Sequence, residues 1–406
     1  MVIPQQILSP LLSLSSCLLG NGCWHHDDTT KPVVSTTNTI NLLDLELMTP
    51  PDHPRPYFIR SSSPAHSVAT GNQIFRFPVT ANSSGGEFTI VGTNAPPSKN
   101  LVVHPHFHKK HYESFFTIKG RIHLWTQNRG EAEQQARVMT QHDFGSCPPN
   151  TNHTLQVIDH DTELFGTVFP GGFEKLFYFI GDKYDSPNFA PYDPSLGEGS
   201  NRGINDTVLE GLKAFDVWAQ PDFVPERNFV NDRRPPNEVW HDGFNGVGND
   251  SRASYFVANG HGPKYLNRNV TGFYQVVQPL IRPAASGVFN FTESLISING
   301  GLGPDQPEDV WYEFDFGNSF TVLEGRLSVS VEGYNPAELY TGDTVYVPRH
   351  SRFSYHSNAH FTKVIYVAAS HDGIDAILVR NGEYFGSPMF PADQVPGEVS
   401  AMFRQK

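Results

Sequence analysis

The stretch H-P-H-F-H-K-K-H-Y-E-S-F-F-T-I-K-G, residues 104–120, holds four histidines and a glutamate in ten positions. Side chains two apart on a strand share a face, so His104, His106 and His108 can project one way. Glu113 lies five residues past His108 and needs a turn or bulge to rejoin them. The following S-F-F-T-I-K-G has the apolar content of a strand and ends in a glycine turn. Forty residues beyond Glu113 comes His153, in C-P-P-N-T-N-H-T. Three imidazoles with one carboxylate suit a mononuclear transition-metal site with room for a substrate. The bland alternative for any histidine cluster is a solvated surface loop.

The spacing narrows that choice. H-x-H-x(4)-E-x(6)-G fits His106, His108, Glu113 and Gly120, and D-x(4)-P-x(4)-H fits Asp143, Pro148 and His153. Both patterns fall in order between strand-like runs, and together they resemble the two conserved motif halves of the cupin family. His104 and His111 fall outside the pattern and are expected at the surface or behind the ligands.

The chain has 406 residues, enough for two domains with sizeable cores. Its 30 Phe and 15 Tyr, with 35 Gly and 32 Pro, favour an all-β fold. A formal charge of −13 argues against a nucleic-acid partner. No run of about twenty apolar residues is present to span a membrane. The cysteines Cys17, Cys23 and Cys147 are too few for a disulfide framework, and Cys147 is expected to be a buried core thiol.

The first twenty residues have an apolar centre of signal-peptide length but no basic residue before it. N-x-S/T sequons stand at Asn82, Asn152, Asn205, Asn249, Asn269 and Asn290. Together these favour a secreted glycoprotein over a cytoplasmic one. A glycan on Asn152 would collide with a site built around His153, so that sequon is expected to be unused.

In order, residues 1–45 are expected to be a leader or disordered tail, and 46–184 an N-terminal barrel carrying the metal site. Residues 185–215, rich in Pro, Gly, Ser and Asp, form a linker. Residues 216–406 form a C-terminal barrel. S-S-G-G at 83–86 is expected to be a hairpin turn, 174–180 a short helix, and the segment 206–220 a second short helix.

The second half repeats the first in outline. Gly325 and Pro348 echo Gly120 and Pro148, at intervals of 23 and 28 residues, and the polar loop at 128–135 accounts for the difference. The second barrel lacks the chemistry. Phe353 stands five residues after Pro348, where His153 follows Pro148. Asn318 stands seven residues before Gly325, where Glu113 precedes Gly120, and no H-x-H comes before it.

Blocks from about 52 to 393 resemble the fungal quercetin 2,3-dioxygenases, secreted bicupins. They include D-H-P-R-P-Y-F-I-R, S-S-G-G-E-F-T-I-V-G-T-N-A-P, R-V-M-T-Q-H-D-F-G-S-C-P-P-N-T-N-H-T, P-G-G-F-E-K-L-F-Y and Y-F-V-A-N-G-H-G-P-K-Y-L-N. The resemblance implies two tandem cupin barrels (double-stranded β-helix jelly rolls) joined by the linker. It implies one Cu(II) held by His106, His108, Glu113 and His153 and a C-terminal barrel without metal. Fe(II), Ni(II) and Mn(II) suit the same donors. It also implies a flavonol opened by O2 with release of carbon monoxide and a depside, Glu113 acting as base.

The substrate-lining positions carried over by the resemblance are Phe75, Val91, Thr93, Phe115, Leu155 and Leu164. Several of these carry tyrosine, methionine or another phenylalanine in the family. The replacements keep the lining suited to a flat aromatic ligand. They also leave room for a related bicupin oxygenase or cyclase acting on another phenolic or polyketide. A storage cupin would not need the complete ligand set, and an isomerase would not need O2. The expected partners are this small aromatic substrate and O2, with the protein a monomer or homodimer.

Overall fold

The computed structural model describes residues 42–184, 210–226, 246–270, 273–300, 310–387 and 390–391. Most of the expected leader, with Cys17 and Cys23, and most of the expected linker lie outside these residues. The described residues form two tandem cupin barrels, all-β apart from a few short helices.

The N-terminal barrel is an eight-stranded sheet opposed by a five-stranded one. Phe115 and Leu164 from the larger sheet pack with Leu124, Met139, Leu155 and Val157 from the smaller. The C-terminal barrel is a nine-stranded sheet and a three-stranded one, closed over Phe320, Val329, Phe353 and Tyr366. A third core runs between the barrels, where Phe116, Phe165 and Phe169 of one large sheet meet Phe291, Tyr346 and Ile365 of the other. Phe169 and Phe291 stack there at 3.7 Å. With both faces covered, these strands are buried nearly end to end rather than at alternate positions.

The halves are interwoven. Tyr57–Ile59 pairs with Thr344–Val347 of the C-terminal barrel, whereas Tyr255–Val257 pairs with Phe144–Cys147 of the N-terminal barrel. Trp218–Ala219, expected in the C-terminal barrel, pairs with His106–Phe107. Sheet membership therefore crosses the sequence division at both ends, because exposed sheet edges recruit whichever strand is in reach. A buried hydrogen bond also crosses the seam, from the Ser114 hydroxyl to the Glu293 carboxylate at 2.9 Å.

Two local expectations are corrected. Residues 83–86 are not a plain hairpin turn. Ala81–Ser84 forms one helical turn, because Thr80 and Ser83 cap each other reciprocally, and Gly85 ends it in the left-handed region. The segment 206–220 is not one helix. It is helical over 210–215, turns at Asp216 (φ 62°) and continues as the strand Trp218–Ala219; residues 206–209 lie outside the described residues. The expected helix after Phe173 is present as Glu174–Ile180.

The internal repeat is explicit in the backbone. Gly120 and Gly325 both take positive φ, at 74° and 80°, where the chain passes from the larger to the smaller sheet of each barrel. A Cβ on either would lie 2.9 Å from the Cα of Thr162 or Thr362, respectively. The His106↔His153 pairing has its counterpart in the Tyr312↔Phe353 bridge. Asn150 donates its N–H to the His108 carbonyl, and His350 likewise to that of Phe314. The four site positions of the first barrel thus correspond to Tyr312, Phe314, Asn318 and Phe353. Their rings fill the space, Tyr312 stacking on Phe314 and packing against Phe353, and the Asn318 amide binds Tyr366 and the Phe316 carbonyl. Aromatic packing has replaced ligand chemistry.

Candidate metal centre and substrate cavity

The motif folds as two short strands with an irregular loop between them. His106 and Phe107 lie in a strand of the smaller sheet, and Glu113 lies in Tyr112–Lys119 of the larger. The chain crosses from one sheet to the other over 108–111, which supplies the re-aiming of Glu113 that the spacing demands. His153 arrives on Thr151–Val157, paired directly with His106.

These four side chains converge, with one ligand atom from each of His106, His108, Glu113 and His153 within 4.8 Å of the others. His108 and His153 are 1% exposed, which rules out a solvated surface loop for them. Each imidazole is oriented by a backbone carbonyl at Nδ1: His104 O for His106 at 2.8 Å, Asp216 O for His108 at 2.8 Å, and Thr151 O for His153 at 2.9 Å. A carbonyl can only accept, so Nδ1 carries the proton and a neutral ring leaves its Nε2 lone pair facing the cluster. The Nε2 atoms of His108 and His153 lie 3.3 and 3.1 Å from Glu113 Oε2. Acceptors that close require cationic rings or a cation between them. Burial, with neighbouring His153 and His108, depresses protonation of His106. Burial pushes the Glu113 carboxyl up, but the bonds and charges of His108 and His153 outweigh it and hold the group well below the usual carboxylate range. Orientation at Nδ1 with Nε2 turned into the cluster is the arrangement of a metal-binding histidine, so the donor set fits a divalent transition metal.

His106 and Glu113 form one wall of a cavity of about 650 Å³. Phe75, Val91, Thr93, Phe115, Leu155 and Leu164 all line it, side by side across adjacent strands: Leu164 opposes Thr93, and Thr93 opposes Phe75. The size and apolar lining suit a small aromatic ligand. Sequence reasoning missed the outer wall, where Phe173, Leu176 and Phe177 of the helix region meet Leu212 and Val217. The amphipathic run E-K-L-F-Y-F-I was visible, but which element it would cover was not.

His104 lines the cavity but stands outside the cluster. His111 lies behind it, its Nδ1 3.1 Å from Asp216 Oδ2. Cys147 is buried, as expected of a core thiol, and burial pushes its pKa well up. Of the sequons, Asn82, Asn249 and Asn290 are exposed, whereas Asn152 is half-buried with its amide on Gln127. No helix among the described residues is long and apolar enough to cross a membrane.

No protein-family model matches the chain. Solved structures that align with the chain include a point mutant of Bacillus subtilis oxalate decarboxylase, at TM-score 0.46 and 12% identity over 80% of each chain. Lactobacillus farciminis oxalate decarboxylase in a formate complex aligns at TM-score 0.45 and 14% identity, covering 77% of this chain and 86% of that one. Among curated proteins, quercetin 2,3-dioxygenase of Bacillus subtilis is 28% identical over 172 residues, 42% of this chain and 46% of that protein. Quercetin 2,3-dioxygenase of Aspergillus japonicus is 42% identical over 344 residues, 84% of this chain and 97% of that protein. With nearly all of that relative matched from end to end, the chain belongs to the quercetin 2,3-dioxygenase family, whose members are metal-dependent dioxygenases.

Proposed function

We propose that this protein opens the central ring of flavonols such as quercetin with O2, releasing carbon monoxide and a depside, and that its metal is copper(II). The observation that carries the reading is the placement of His106 and Glu113 on the wall of an apolar cavity of about 650 Å³, with His108 and His153 completing the cluster behind them. His106, His108, Glu113 and His153 would hold the metal. When bound, the copper supplies Lewis acidity that lowers the pKa of the flavonol 3-hydroxyl and an acceptor for electron density from the flavonolate.

The chain's own residues do the rest. Glu113 takes the 3-hydroxyl proton as general base. Its carboxylate then holds that proton as a hydrogen bond to the substrate oxygen, which fixes the ring plane. Phe75, Phe115, Leu155 and Leu164 exclude water and hold the flat rings in register.

The test is a quercetin assay on copper-loaded protein, following loss of flavonol absorbance with and without O2 and trapping carbon monoxide. Oxygen-dependent loss with carbon monoxide released is the expected result. No loss in protein that holds one metal would favour the second reading, an oxygenase or cyclase for another phenolic or polyketide, which the altered lining positions leave open.

The cavity wall gives a further expected result. Phe75 packs on Phe177 with ring centroids 4.3 Å apart, and both line the cavity. Phe75→Ala is expected to raise KM for quercetin about tenfold, roughly 1.4 kcal/mol of aromatic contact, without changing metal content. An unchanged KM would place the substrate against a different wall.

We also propose that the protein is secreted, on the apolar leader and on the exposed sequons Asn82, Asn249 and Asn290. Expression of the full chain with endoglycosidase treatment of medium and cell fractions tests this.

A further inference from the structure

The cluster depends on a segment far from both halves of the motif. After the helical turn at 210–215 the chain reverses at Asp216 and runs across the back of the metal-ligand loop. Trp218 pairs with Phe107 and Ala219 with His106, and the Gln220 N–H donates to the Pro105 carbonyl at 2.7 Å. The Lys109 ammonium sits 3.1 Å from the centre of the Trp218 ring and closes the loop over this segment.

Asp216 is the centre of the contact. Its backbone carbonyl accepts from His108 Nδ1 at 2.8 Å. Its carboxylate accepts three successive backbone N–H groups, from Lys109 at 3.1 Å, Lys110 at 2.6 Å and His111 at 3.1 Å. It also accepts from Trp218 Nε1 and meets His111 Nδ1, each at 3.1 Å. The side chain is 8% exposed. Residues 109–111 belong to no strand, so their N–H groups find in this carboxylate what a ladder would otherwise supply. The residue sits at φ 62°, a conformation that Asp and Asn tolerate better than other non-glycine residues.

We propose that Asp216 is a positioning residue for the metal centre: its carboxylate shapes the loop that brings His108 and Glu113 into one cluster, and its carbonyl fixes the His108 ring. The proposal rests on the reading of that cluster as a metal site. Partners that orient metal-binding histidines typically change affinity by roughly 10–100-fold when removed.

The experiment compares wild type, Asp216→Ala and Asp216→Asn. Cu(II) affinity is read by chelator competition, the Cu(II) EPR spectrum on loaded protein, and melting on the metal-free forms. Asp216→Ala is expected to weaken Cu(II) binding about 10–100-fold and to change the copper hyperfine splitting. Asp216→Asn keeps one acceptor oxygen and the backbone tolerance, but its amide faces donors. It is expected to fall between the two, with a metal-free melting temperature near wild type. Lowered melting with wild-type affinity and an unchanged spectrum would mean a purely structural role and would overturn the proposal. If Asp216→Ala does not fold, Asp216→Asn decides alone by the same criteria. Wild type that fails to bind Cu(II) would overturn the metal reading and this proposal with it, an outcome told apart by that control.

Discussion

Glu113→Gln is expected to retain metal yet turn over quercetin roughly 10²–10⁴-fold more slowly, the range for loss of a positioned general base. Glutamine keeps an oxygen where Glu113 Oε2 lies 3.1 Å from His153 Nε2 and 3.3 Å from His108 Nε2, and the three imidazoles are untouched. What it loses is the capacity to take a proton. The wild-type carboxyl is held well below the usual range by His108 and His153 despite its burial, so it is ionised. The loss should appear in kcat and kcat/KM together, because proton transfer belongs to the transition state and not to substrate binding. Metal analysis on the same preparation separates the two roles of the residue. Full activity would move the base elsewhere. Parallel loss of metal and activity would make Glu113 a ligand first.

The site was more legible than its supports. Tight spacing made His106, His108, Glu113 and His153 readable, because a β-strand period of two and a fixed loop length leave few ways to gather them. Asn318 and Phe353 were readable as replacements for the same reason. Tyr312 and Phe314 were not, since nothing in Y-E-F marks it as the relic of H-x-H until the Tyr312↔Phe353 bridge shows the register. Asp216 was invisible, because its role comes from a chain reversal that brings it onto residues 109–111 from more than a hundred positions away. Strand exchange between the barrels was equally hidden: Tyr57–Ile59 and Tyr255–Val257 have ordinary strand composition, and which edge each joins is decided by tertiary reach. The one-turn helix at Ala81–Ser84 did have a local signal, the Thr80–Ser83 reciprocal cap, which the glycine pair at 85–86 outweighed.

Glu293→Gln is expected to stabilise the protein at pH 8 and to do little at pH 4 to 5. Glu293 is 0% exposed on Thr292–Ile298, at the seam between the barrels. Burial pushes its carboxyl up to about 7 against the opposing pull of the Ser114 and Thr167 hydroxyls. The ionisable groups it influences nearby are the phenols of Tyr112 and Tyr255, themselves pushed up by burial. The sign follows from proton counting. Below the ordinary value of 4.5, folded and unfolded chains both carry the proton, and the group contributes no pH dependence. As the pH rises from there towards about 7 the unfolded chain releases it while the folded chain keeps it, so stability falls. Above 7 the loss levels off at about 3 kcal/mol, an upper value set by a shift of roughly two and a half pH units. Glutamine occupies the same space, still accepts from Ser114 and does not titrate, so the cost disappears with it. Urea unfolding of both proteins at pH 5 and pH 8 measures the difference directly. The variant's advantage should grow between the two pH values by a substantial part of that figure. An equal difference at both would show that Glu293 does not change its protonation on folding, and that the seam tolerates a carboxylate as readily as an amide.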